Sequence, residues 1–152
     1  MRKFAANYLV SEDGLFLKNS IVVAEENGTA IQYIDTEGDL NEIAQLIFHN
    51  GILMAGFTFL KTNDACQFSK ADSLIQAFEG QIEVSIQNLV ELGKRVQVQF
   101  PEIKIPEILN KITVALASGG YIKENIPGIF LLMSVDLVGL RFTPKSRLKK
   151  IL

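Results

Sequence analysis

Residues 18–40, KNSIVVAEENGTAIQYIDTEGDL, place two β-like stretches on either side of an Asn-Gly step, and their reading decides the fold class. Ile21 and Val23 precede the break at Glu26-Asn27-Gly28-Thr29, and Ile31, Tyr33 and Ile34 follow it. Asn-Gly tolerates positive φ at both central positions of a hairpin turn, so the stretch predicts two antiparallel strands. Upstream, Leu15 and Leu17 continue the odd-position apolar pattern, and Ser11-Glu12-Asp13-Gly14 predicts an earlier turn. Three short strands therefore fit within residues 2–35. A polar connector over residues 36–43 leads into Gln45–Phe59, which is apolar and β-leaning and is punctuated by Asn50-Gly51 and Gly56.

The period then changes. Ile82, Ile86, Leu89 and Val96, with Val90 and Leu92 beside them, recur at helical spacing and predict an amphipathic helix to about Val98. Gly93 is its weak point, at about 1 kcal/mol relative to alanine. Pro106 suits the first turn of a second helix, with Ile105, Ile108, Leu109, Ile112 and Leu116 on its apolar face and Gly119-Gly120 as its stop. Residues 65–80 fit a short third helix. Gly128–Met133 and Val135–Phe142 then predict two more strands, before a TPKSRLKKIL ending. The order β, α, β predicts an α+β fold: a small β-sandwich or sheet built from both chain ends, with two to three helices between them. The whole chain reads as a single domain, residues 1–152, divided into a β segment (1–64), a helical insertion (65–120) and a second β segment (121–152).

Composition narrows the function classes. The chain has 152 residues, 48% apolar and 21% charged, and a formal charge of −2. This is globular, gives no global field that favours nucleic acid, and is too short for a (β/α)8 barrel, which needs about 200 residues or more. The longest apolar run, Ile126–Leu140, is broken by Pro127 and Asp136 and falls short of the ~20 residues of a membrane span. A soluble, cytoplasmic protein without nucleic-acid or membrane partners is the expectation.

One cysteine and one histidine leave little for chemistry. Phosphate-loop, HExxH, CxxC and GxSxG motifs are all missing. His49 lies in LIFHNG without a nucleophile partner in sequence and reads as structural. Cys66 lies in the polar NDACQF stretch and reads as an inert thiol, because a reactive thiolate needs an electropositive setting. Glu25-Glu26 and Asp35, Glu37 and Asp39 read as solvated turn charge. Arg141, Lys145, Arg147, Lys149 and Lys150 form an acid-free basic ending. Its interleaved Phe142, Leu148, Ile151 and Leu152 predict a segment docked on its own domain rather than a tail for nucleic acid or anionic lipid.

KNSIVVAEENGTAIQYIDTEGDL followed by FHNGILMAGF resembles the N-terminal β segment of the amidohydrolase superfamily, the metal-dependent hydrolases and deaminases of the imidazolonepropionase kind. The points of likeness are Asn19, Gly28 and Ala55-Gly56-Phe57. FPEIKIPEILNKIT is similar to a late barrel helix of that superfamily. Ile126-Pro127-Gly128 and Thr143-Pro144-Lys145-Ser146-Arg147 are similar to its closing strands. The resemblance covers residues 1–64 and about 80–152. It implies the superfamily's small composite β-sandwich, assembled from both termini, as a truncated remnant without most of the barrel.

The resemblance also implies where metal ligands would stand. The His-x-His pair of the superfamily falls on Lys61 and Asn63 here. Lysine repels a cation, and Asn offers only a weak carbonyl donor. No catalytic, cofactor-binding or metal-ligating residue is therefore assigned, and an enzyme is disfavoured. The expected function is a non-catalytic module with a structural or protein-interaction role, paired with a second copy as a homodimer or with a related full-length chain. Two alternatives stand beside it: a C–N hydrolase whose partner chain supplies barrel and metal, and a small-ligand binding module.

Overall fold

Arg2–Val10 is a strand with apolar runs at Phe4-Ala5-Ala6 and Tyr8-Leu9-Val10, and three other described strands pair with it. The computed structural model describes residues 1–11, 15–38, 45–62, 83–84, 86–110 and 121–152. In chain order these form β1 (Arg2–Val10), β2 (Phe16–Lys18), β3 (Ile21–Ala24), β4 (Ala30–Ile34), β5 (Leu46–Thr62) and β6 (Glu83–Val84). Helix α1 (Ile86–Gln99), a helical stretch over residues 105–110, β7 (Tyr121–Met133) and β8 (Arg147–Lys150) complete the set. The strands form one mixed sheet in the order β4-β3-β1-β5-β7-β8, with β2 beside β1 and β6 beside β5. Among the described strands only β1 and β5 pair in parallel. The fold is α+β, and β5 joins strands from the two ends of the chain: β1 on one side, β7 on the other.

The β3–β4 hairpin forms where the Asn-Gly step predicts it. Of the two, only Gly28 takes positive φ, +86°, so the connection is a longer turn than the two-residue type. Asn27 Oδ1 accepts the Thr29 N–H at 2.9 Å, and Glu25 C=O accepts the Gly28 N–H at 2.9 Å. The sheet curls enough that Gly28 reaches β7: the Gly128 N–H donates to Gly28 C=O at 3.0 Å. A Cβ on Gly28 would lie 2.8 Å from Gly128 Cα, so the contact needs glycine.

Asn50-Gly51 is not a turn. It is a bulge inside β5, where the register with β1 shifts between Ala6 and Tyr8. The Gly51 N–H donates to Asn7 Oδ1 at 2.8 Å, and Gly51 has φ +138°. A bulge adds one residue to one strand and reverses the side on which later residues fall. Beside it, β1 changes face at Asn7: Phe4, Ala6 and Leu9 share one cluster, while Tyr8 and Val10 pack with the other.

Each sheet face has its own core. Leu89, Leu92 and Val96 repeat at helical spacing on α1 and pack with Ile105 and Ile108 onto Ile52, Met54, Phe130 and Leu132. Phe4, Val22, Leu53, Ile129 and Leu131 pack together on the other face, flanked by Tyr33, Ile151 and Leu152. Gly93 is explained by packing: a Cβ there would sit 2.5 Å from the Phe142 ring.

Val135–Phe142 is not a strand. Asp136 and Arg141 make an isolated bridge around a turn. Asp136 Oδ1 accepts the Val138 and Gly139 N–H groups at 3.0 and 3.1 Å, and this side-chain capping competes with extension. The last strand is instead β8, in the basic ending, which docks on its own domain as its apolar residues predict. Residues 2–34 hold four strands rather than three. The third helix expected over 65–80, and the end of the second, lie outside the described residues.

Candidate functional site

Thr143-Pro144-Lys145-Ser146 leads into β8, and its polar atoms are consumed in holding that strand. The Ser146 hydroxyl, on a residue only 5% exposed, donates to Ser134 C=O at 2.9 Å and accepts the Thr143 N–H at 2.8 Å. Thr143 Oγ1 donates to the same carbonyl at 2.5 Å. From α1, Gln97 grips the Phe142 backbone twice, accepting its N–H at 2.8 Å and donating to its C=O at 3.1 Å. Lys94 Nζ reaches Pro144 C=O at 3.3 Å and Glu91 at 3.5 Å. Both hydroxyls therefore act as structural pins, and neither is set beside a base that would activate it.

Next to this clamp, α1 and β8 leave a cleft of about 400 Å3. Val90, Phe130 and Leu148 give it an apolar side; Glu91, Ser146, Arg147 and Lys150 line the rest. Its one carboxylate already faces Lys94. The cleft can accept an apolar side chain and present positive charge at its rim, but it gathers no acid–base pair.

Positive charge is concentrated on this edge. Lys145, Arg147, Lys149 and Lys150 are exposed, and among the described residues none of them forms an ion pair. By register, Leu148 and Lys150 lie on the α1 side of the sheet, opposite Leu132 and Phe130, and Lys149 lies on the other side, while Arg147, at the start of the strand, borders the cleft.

The other candidates are scattered. His49 stands on β5 beside Phe4, with ring centroids 6.0 Å apart. Its Nε2 is buried without a hydrogen-bond partner among the described residues. Burial, and secondarily the positive charge of Lys149, hold its pKa below the ordinary 6.5. By register, Lys61 stands near the end of β5, opposite Glu83 of β6 and Ile122 of β7. Asn63, Cys66 and Asp39 lie outside the described residues. Glu26 meets the Met1 amino group at 4.0 Å at the exposed end of the β1–β3 pair, and Asp35 Oδ1 accepts the Glu37 N–H at 2.9 Å as a local turn contact. Among the described residues no group of three His, Cys, Asp or Glu side chains is placed to hold a metal ion. No described helix is long and apolar enough to cross a membrane. The roles of Gln97 and Glu91 had no sequence signal, since both are ordinary polar positions of an amphipathic helix.

Comparison with protein families, with characterised proteins and with solved structures finds no match to this chain.

Proposed function

We propose that this chain is a non-catalytic module derived from the composite β domain of the amidohydrolase superfamily, with a structural or protein-interaction role. The observation that carries the reading is the contact between Gly28 and Gly128. These glycines belong to the two separate stretches that bear the resemblance, and a composite domain requires its two ends to meet. Lys61 adds support, because a cation stands where the superfamily presents a metal ligand. Association with a second copy or with a related full-length chain belongs to this reading. The surface for it lies away from Leu89, Val96 and Ile108, which are buried in the chain's own core.

Elemental analysis of the purified protein, together with turnover assays on cyclic amides and aminated heterocycles, tests the proposal. The expected result is no stoichiometric Zn, Ni or Fe and no hydrolysis above blank. The Lys61→His, Asn63→His double variant is expected to stay inactive, since a metal site needs its remaining ligands and their support. Metal-dependent turnover by the unmodified chain would overturn the proposal.

A further inference from the structure

We propose that the free edge of β8 is a docking site for an extended acidic peptide, which adds to the sheet as a further strand with apolar residues turned into the adjacent cleft. The inference rests on the interaction role proposed above and names its surface and partner. Three observations converge on it. First, β8 ends the sheet order, so alternate N–H and C=O groups on its outer side have no strand partner among the described residues. Second, the last sixteen residues, 137–152, hold five cations and no acid, and those on and beside β8 are free of ion pairs among the described residues. Third, the cleft of about 400 Å3 opens beside the same strand, with Val90, Phe130 and Leu148 on its apolar side.

The register fixes the sequence pattern such a peptide would carry. Side chains of an added strand that fall on the α1 side lie beside Leu148 and Lys150, over the cleft, and favour apolar groups. Those on the opposite side lie beside Lys149 and favour carboxylates, as does the position beside Arg147 at the border of the cleft. Strand addition draws affinity from main-chain hydrogen bonds and specificity from alternate side chains. A second copy of β8 would set like charges against each other, which disfavours pairing of the chain with itself at this edge. A phosphate backbone is disfavoured as well: Glu91 lines the cleft, and the one ring there, Phe130, is 8% exposed and offers no face for base stacking.

The test is fluorescence anisotropy of a short labelled peptide alternating Glu with Val, titrated with the full chain. The expected result is saturable binding that weakens with salt. Arg147→Glu with Lys149→Glu, both at exposed positions and checked for folding by circular dichroism, should lower affinity by about tenfold or more. The same peptide with alternate backbone amides N-methylated should not bind the unmodified chain, because it cannot complete the ladder. Equal binding of the N-methylated peptide, no binding of either peptide, or tighter binding of single-stranded DNA or of phosphatidylserine vesicles at the same salt would each overturn the proposal. Metal content and turnover are read separately, so loss of this site leaves the non-catalytic reading standing.

Discussion

Gly51 carries more of the fold than its place in an apolar run suggests. Its φ of +138° is strained for any residue with a side chain, and an added Cβ would run into the Leu132 carbonyl oxygen of β7. That oxygen is backbone held in the β5–β7 ladder and cannot yield as a side-chain end could. Gly51→Ala should therefore destabilise by about 2–4 kcal/mol in urea unfolding, from strain plus overpacking. Gly38 is the control: it also has positive φ, +87°, but open space where its Cβ would be. Gly38→Ala should cost only about 1 kcal/mol. Equal losses at the two sites would mean that the bulge is not held by β7. His49 gives a second residue-scale expectation. Its folded-state pKa lies below the unfolded value of 6.5, so the unfolded chain binds the proton more readily. Stability from this group is complete above pH 6.5 and is lost as pH falls from there toward the lower folded value. Thermal unfolding at several pH values should show this slope in the native chain and a shallower one in His49→Gln; parallel curves would remove His49 as its source.

At the scale of elements, the clamp around Ser146 decides whether β8 stays on the sheet. Ser146→Ala removes the donor to Ser134 C=O and leaves the Thr143 N–H unpaired, a loss of about 1–3 kcal/mol. Loosening should be greatest at Arg147–Lys150, measured as faster amide exchange there than in β1; uniform change along the sheet would show that the clamp serves the whole core instead. Legibility from sequence divided along the same line between local and distant causes. The β3–β4 hairpin and α1 were readable because Asn27-Gly28 and the Leu89, Leu92, Val96 spacing act within a few residues. Asn50-Gly51 carries the same dipeptide as the hairpin yet makes a bulge, because its N–H is taken by Asn7, which lies 44 positions away. Val135–Phe142 has strand-like composition, but Asp136 caps its own turn. The cleft was not legible at all, since its walls come from α1, β7 and β8, and nothing local marks their meeting.

At the scale of the whole molecule, the parallel pairing of β1 with β5 makes the first and last thirds of the chain depend on one another. β5 has β1 on one side and β7 on the other, and Ile52, Leu53, Met54 and Ala55 are buried on both faces of the sheet. Neither β1–β4 nor β7–β8 has a covered sheet without it, and small strand sets lack independent stability. This mutual dependence is what the proposed non-catalytic module requires of its two β segments. Native-state amide hydrogen exchange across a denaturant series measures it directly. The slowest amides of β1, β3, β5 and β7 should share one opening free energy and fall together as denaturant rises. Opening of β1–β4 at a lower free energy than β7, as a separate unit, would contradict it.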